Sequence, residues 1–423
     1  MTVDGTLALG ANQTLQSLSG SGDLSLDTFT LTLNTAADTT FEGAISGTGG
    51  LTKSNTGTVT LDGAHTFTGA TAVSAGTLSL NAADALASSS GVQVNGTLAL
   101  GADQTIQALT GSGSVALSDN TLTVDTDSSD SFGGTISGTG GLTKSGSGTL
   151  TLTSAQTYSG ATSISAGKVT LNAANALAAS SGVDVGGTLS LGASQSLQSL
   201  SGSGTVALGA NALTLTTSGS ATFDGILSGT GTLTLNGTGI QTLSTAQSLT
   251  NAVQVTSGTL ALTSAGALQN VNVASGGTLA LASGTSAQNV TNAGLSSTNA
   301  GKIANLSNSG GSFSNDGTIS GTVTVTGGAV SQSAAGSIVG TTSVSAGSLT
   351  SAGTLSGPLN ISGTGTATLS GGTAATANIS GGSLTNTGGA IMTLNASGGT
   401  AINSAGGSVT TCLLYTSPSP RDA

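Results

Sequence analysis

The sequence predicts an all-β parallel β-solenoid with 17–20-residue coils. Three observations carry that prediction: a long repeat without insertions, a shorter beat of coil length inside it, and strict alternation of apolar and polar residues.

The long repeat begins with Val3-Asp-Gly-Thr-Leu-Ala-Leu-Gly and recurs from Val94 and from Val185, so its period is 91 each time. Phe41, Phe132 and Phe223 keep the same offset, and three copies therefore run without interruption. Within each copy, Gly-Thr-Leu or a close variant starts at Gly57, Gly76 and Gly96, then at Gly148, Gly167 and Gly187. Both series step by 19 and then by 20, the length of one solenoid coil.

Each beat reads as a strand. In Gly148-Thr-Leu-Thr-Leu-Thr153 the leucines share one side and the threonines the other. The pattern places Leu98, Leu100, Leu150, Leu152, Leu189 and Leu191 inside, with the intervening Thr and Ser outside. A coil cannot bury its apolar side alone, but coils stacked about 4.8 Å apart put Leu over Leu. Some 20 stacked coils would make a rod on the order of 100 Å long. Glycine permits the corners between faces.

Composition is consistent with this narrow interior. With 5% charged and 2% aromatic residues an aromatic-rich globular core is excluded. The 69 glycines alone would suggest a disordered linker, yet 36% of residues are hydrophobic and only 3 are proline. A net charge of −11 excludes a basic nucleic-acid surface. No apolar run approaches the ~20 residues of a membrane-spanning helix. Met1 aligns with Val92 and Val183, so the chain is expected to begin inside a repeat, as a GTG valine codon read as a start would give.

Three regions are expected. Residues 1–250 hold the three 91-residue copies. Residues 251–411 continue the solenoid with shorter coils, marked by Gly-Gly pairs at Gly371, Gly381, Gly388, Gly398 and Gly406; a disordered stalk competes there. Residues 412–423 hold the lone Cys412, the lone Arg421 and two of the three prolines. Read back into codons, they resemble a transposase adapter used in sequencing-library preparation, and they are taken as an artefact.

The segment Gly50-Leu-Thr-Lys-Ser-Asn-Thr-Gly-Thr-Val-Thr-Leu-Asp-Gly-Ala-His-Thr-Phe-Thr-Gly resembles the autotransporter-associated β-strand repeat. The stretch from Gly141 to Val169 resembles it as well, with Tyr158 at the aromatic position, and a third copy is degenerate, with Leu235 in place of the lysine. The Gly-Gly signals after Gly371 are similar to the short repeats of self-associating autotransporter adhesins. The resemblance implies a bacterial passenger domain exported through an outer-membrane β-barrel and folded outside the cell as a right-handed parallel β-helix. It implies an adhesive or self-associating role at the bacterial surface, toward a host cell, a matrix, a glycan or a second copy. Neither a signal peptide nor the barrel is visible, so the chain is expected to be a fragment.

Parallel β-helices also carry polysaccharide-cleaving sites, so each chemically distinctive residue is a candidate. His65 has Gln156 as its counterpart and is expected to be a solvated turn residue. Asp125, Asp127 and Asp130 are the best acidic cluster, but their counterparts are Asn34, Ala36, Thr39 and Thr216, Ser218, Ala221. They are expected to be solvated carboxylates rather than a Ca²⁺ site. Lys53 and Lys144 are expected on exposed strands, discouraging sideways pairing. No catalytic, metal or cofactor-binding residue is assigned, and no cofactor is expected. The alternatives are a non-catalytic part of a carbohydrate-active β-helix and an ice- or crystal-binding solenoid. The latter would need Thr-x-Thr on one face of consecutive coils, which Gly167-Lys-Val-Thr-Leu171 interrupts.

An independently prepared genomic library sequenced across the 3′ end should lack the codons for residues 412–423. Recovery of the same Cys-Leu-Leu-Tyr stretch running into unrelated coding sequence would contradict the adapter reading.

Overall fold

The structure is a computed structural model that describes residues 1–404 and 406–414. The adapter-like tail beyond Leu414 lies outside the described residues. Among the described residues the regular elements are all β-strands. Each is short where the coil turns a corner early and long where the chain bends without leaving the ladder.

The short beat in the sequence is the stacking step. Thr58–Leu61 pairs in parallel with Thr77–Leu80, and Thr77–Leu80 with Thr97–Leu100, so steps of 19 and 20 superpose the same positions. Thr149–Leu152, Lys168–Leu171 and Thr188–Leu191 repeat the arrangement one copy later. Glycine at the corner is a steric requirement: a Cβ on Gly76, whose φ is +63°, would lie 2.3 Å from the Asn55 carbonyl oxygen. Gly96 and Gly187 follow the same rule, since a side chain there would meet the Gly76 and Gly167 carbonyls of the preceding coil.

Stacking puts leucine on leucine. Leu98, Leu100, Leu150, Leu152, Leu189 and Leu191 are all buried, none more than 4% exposed. The threonines between them, such as Thr149 and Thr151, remain half-exposed. Each fully buried leucine stabilises its coil by roughly 2 kcal/mol relative to exposure. Phe41, Phe132 and Phe223 are fully buried, one per repeat copy.

Coil length ranges more widely than the sequence beat implies. Thr71 pairs with Val92 and Thr162 with Val183, steps of 21, because the turns after Asn81 and Asn172 push Ala85, Leu86, Ala176 and Leu177 into the core. At the other extreme, Ser286 pairs with Lys302 and Ser296 with Ser312, steps of 16.

Contacts divide the chain into two compact units, Met1–Leu213 and Thr214 onward. In the first, strands of two to five residues stack in parallel around the leucine core. In the second, Leu233–Leu243, Val253–Leu262 and Ala267–Leu281 run through corners as continuous strands with register shifts. Interior asparagines there bond one coil to the next: Asn292 Nδ2 donates to Asn308 Oδ1 at 2.7 Å, and Asn299 Nδ2 to Asn315 Oδ1 at 2.8 Å. The Gly- and Ser-rich region around residues 320–360 is ordered by the same stacking, with Val323, Val325, Ile338 and Leu355 buried in parallel strands.

Leu150→Asp buries an unpaired charge and should destabilise the first unit by about 3 kcal/mol or more. Thr151→Asp, on the outward side, should change stability by less than about 1 kcal/mol. Thermal melts by circular dichroism with limited proteolysis check this; equal sensitivity of the two variants would contradict the inside/outside assignment.

Candidate functional site

The residues singled out for chemistry are mostly fixed inside the coils. Lys53 and Lys144 are buried at 0% and 1% exposure, which corrects the expectation of exposed strand lysines. Each follows a buried leucine by two positions, Leu51 and Leu142, so the strand period carries it inward. The Lys53 ammonium donates to the carbonyls of Ser54 at 2.9 Å, Asn55 at 2.8 Å and Ala75 at 3.3 Å. Lys144 donates to Thr126 at 3.2 Å, to Gly146 at 2.9 Å and to Ser145. Three N–H donors thus meet three corner carbonyls that point away from the strand ladder. Burial lowers both lysine pKa values. Asp38 opposes that shift at Lys53; Asp125, Asp127 and Asp130 oppose it at Lys144.

His65 is also buried, at 5% exposure, rather than a solvated turn residue. Its Nδ1 accepts the Ile45 N–H at 3.1 Å. At the same repeat position Gln156 Oε1 accepts the Ile136 N–H at 2.6 Å, and Gln247 Oε1 the Leu227 N–H at 2.6 Å. The role is that of an acceptor closing a strand end, which imidazole and carboxamide both fill. Burial depresses the His65 pKa from 6.5 to about 4, so the ring is neutral at pH 7.

The acidic cluster is divided between environments. Asp125 Oδ1 accepts the Ser145 hydroxyl at 2.9 Å, and exposed Asp127 accepts both the Ser147 N–H and hydroxyl at 2.8 Å, bonds that lower its pKa. Asp130 departs from the expected solvated carboxylate: it is 8% exposed, placed inward two positions before Phe132, and its Oδ2 has no hydrogen-bond partner. Among the described residues no group of three His, Cys, Asp or Glu side chains is arranged to hold a metal ion. Elsewhere carboxylates close the next coil: Asp38, Asp84 and Asp103 accept the N–H groups of Thr58, Thr105 and Thr121.

What remains for recognition is the outside. Thr58, Thr77, Thr97, Ser114 and Thr135 form one in-register outward row in the first unit. A second row runs Thr149, Lys168, Thr188, Thr205, so a lysine interrupts it, and its parallel row passes from Thr151 through Thr170 and Ser190 to Ala207. Paired threonine rows are therefore not sustained over these coils. In the second unit asparagines on the outer side make ladders: Asn305 donates to Asn289 and Asn289 to Asn270, while Asn395 donates to Asn378 and Asn378 to Asn360. The sequence carried a signal for these, asparagines spaced by one coil length, which leucine periodicity alone did not bring out.

His65→Gln should preserve stability within about 0.5 kcal/mol, whereas His65→Leu should cost about 1–3 kcal/mol by leaving the Ile45 N–H unpaired. Because the folded-state pKa lies below the unfolded value, the unfolded chain binds the extra proton first. Stability should therefore fall as pH drops from about 6.5 toward about 4, by up to a few kcal/mol from this group, and His65→Gln should lack that component. Melting curves across this pH range check both statements.

Comparison with known proteins bears on the same coils. The passenger-associated-transport-repeat family matches residues 51–80 and 142–178, the segments that hold the buried lysines and the Phe67/Tyr158 position. An autotransporter adhesin, BmaC of Brucella suis biovar 1 (strain 1330), is 37% identical over 140 residues, 30% of this chain. The chain spans only 4% of the length of that relative. No solved structure matches. The transport repeats thus lie on stacked parallel coils, and over part of its length the chain is similar to an autotransporter adhesin.

Proposed function

We propose that the chain is displayed on the bacterial surface and works there as a non-enzymatic adhesive segment, holding a host cell, a matrix or a second copy through repeated polar faces. The observation that carries this reading is the in-register outward row Thr58, Thr77, Thr97, Ser114 and Thr135. Hydroxyls repeating at the coil spacing offer many weak contacts side by side, and many weak contacts engaged together give avidity without a deep pocket. The adhesin relative supports the same reading. A polysaccharide-cleaving site within the chain itself has less support, because the His65 Nδ1 and the buried lysine ammonium groups are bonded to backbone groups. Among the described residues no helix is long and apolar enough to cross a membrane.

Beads coated with the purified protein should attach to cultured host cells or matrix-coated surfaces, or clump with one another. Attachment should rise more steeply than linearly with coating density. Pectin and polygalacturonate should release no reducing or unsaturated ends. Absence of both attachment and clumping at any density, or clear glycan turnover, would overturn the proposal.

A further inference from the structure

In the second unit the coil corners change length in a way that opens a recess. The connector from Leu281 to Ser286 has four residues, those from Asn299 to Lys302 and from Asn315 to Thr318 have two each, and that from Gln332 to Ser337 has four again. The pairing steps follow: 19 from Ala267 to Ser286, 16 to Lys302, 16 to Thr318, and 19 to Ser337. Two short corners between two long ones leave a notch two coils wide, roughly 10 Å. Its volume is about 400 Å³, within the range of small-ligand sites.

The floor of the notch must stay bare. A side chain on Gly301 would sit 2.5 Å from the Thr285 carbonyl oxygen, and one on Gly317 would sit 2.1 Å from that of Gly301. Ser283 and Thr285 form one wall, and Thr318 and exposed Lys302 border the floor. Lys302 is the only Lys or Arg among the described residues from Thr214 on. The nearest acid along the chain is Asp316, exposed on the second short connector.

We infer that this notch is a subsite for a singly charged acidic sugar, a uronate-type monosaccharide unit, which deepens the adhesive reading and rests on it. The Lys302 ammonium supplies a charge-assisted bond to the sugar carboxylate. The hydroxyls of Ser283 and Thr318 exchange hydrogen bonds with ring hydroxyls, and the glycine floor admits the ring. Asp316, exposed on the adjoining connector, repels a second negative charge, which selects against phosphates and polysulfated chains. Without an aromatic platform the affinity of one notch is millimolar, so strength comes from many displayed copies.

Saturation-transfer NMR on the full chain with sodium glucuronate, glucose and inorganic sulfate tests the site. Wild type should bind glucuronate, and glucose at least ten-fold more weakly. Lys302→Gln should weaken glucuronate about ten-fold with an unchanged circular dichroism spectrum, and Lys302→Arg should retain it. No glucuronate binding by wild type, equal binding by Lys302→Gln, or sulfate bound as tightly as glucuronate would each overturn the assignment. The bead assay separates the two readings: attachment without glucuronate binding removes the notch alone, and glucuronate binding without attachment or clumping removes the adhesive role while the subsite stands.

Discussion

In-register parallel stacking is the constraint on which both units depend. Each strand takes its hydrogen bonds from the coil before it and the coil after it, so a residue is tolerated only if it suits the equivalent positions one step away. The straight faces satisfy this with Leu, Val and Ile inside and Thr or Ser outside. Corners are harder, because there the main chain turns and some N–H and carbonyl groups no longer face a strand partner. Much of the chemically distinctive side-chain content is used at those corners, as lysine on carbonyls, as histidine or glutamine on an N–H, and as aspartate on the N–H of the next coil.

The three repeat copies show how strictly the corners must be satisfied. Lys53 and Lys144 give way to Leu235 in the third copy, where the ammonium is lost. Two other positions change with it: Ala166 becomes Ser257 and Leu150 becomes Gln241. The Ser257 hydroxyl donates to the Gly237 carbonyl at 2.8 Å, the counterpart of the Gly146 carbonyl that Lys144 holds. Gln241, 1% exposed where a leucine stood, brings an amide into the core, and its Nε2 donates to the Thr242 carbonyl. One of the three carbonyls that lose the lysine, that of Gly237, thus acquires another side-chain donor, in line with a cost of about 1–3 kcal/mol for an unmet buried carbonyl.

The fold was legible because the stacking step is written directly as the spacing of the Gly-Thr-Leu beats, and the leucine positions followed from a period of two. The same period contained the placements that the structure corrects. Counting by two from Leu51 puts Lys53 inside, and counting back by two from Phe132 puts Asp130 inside. The general rule that charges face water pointed the other way. That rule reflects average interiors, and it weakens where a ring of corner carbonyls waits for a donor. At His65 the signal was the exchange with Gln156 and Gln247: a substitution that keeps an acceptor and discards a titratable ring points to a hydrogen bond, not to acid–base chemistry. The notch at Lys302 was the least legible feature, because it depends on relative connector lengths, which appear only once the register is known.

The dependence on connector length bears on where recognition can arise in such a fold. A perfectly regular stack presents the same face at every level and can discriminate among partners only by spacing. A recess requires the coil length to change and then return, and the two shortened steps between Ser286 and Thr318, flanked by longer ones on either side, do this without breaking the ladder. The buried strands keep their register because the missing residues come only from the corners, so the core loses no packing to the altered surface. Insertions and deletions confined to corners are therefore the route by which a repeat-built solenoid can diversify its surface while its interior stays fixed.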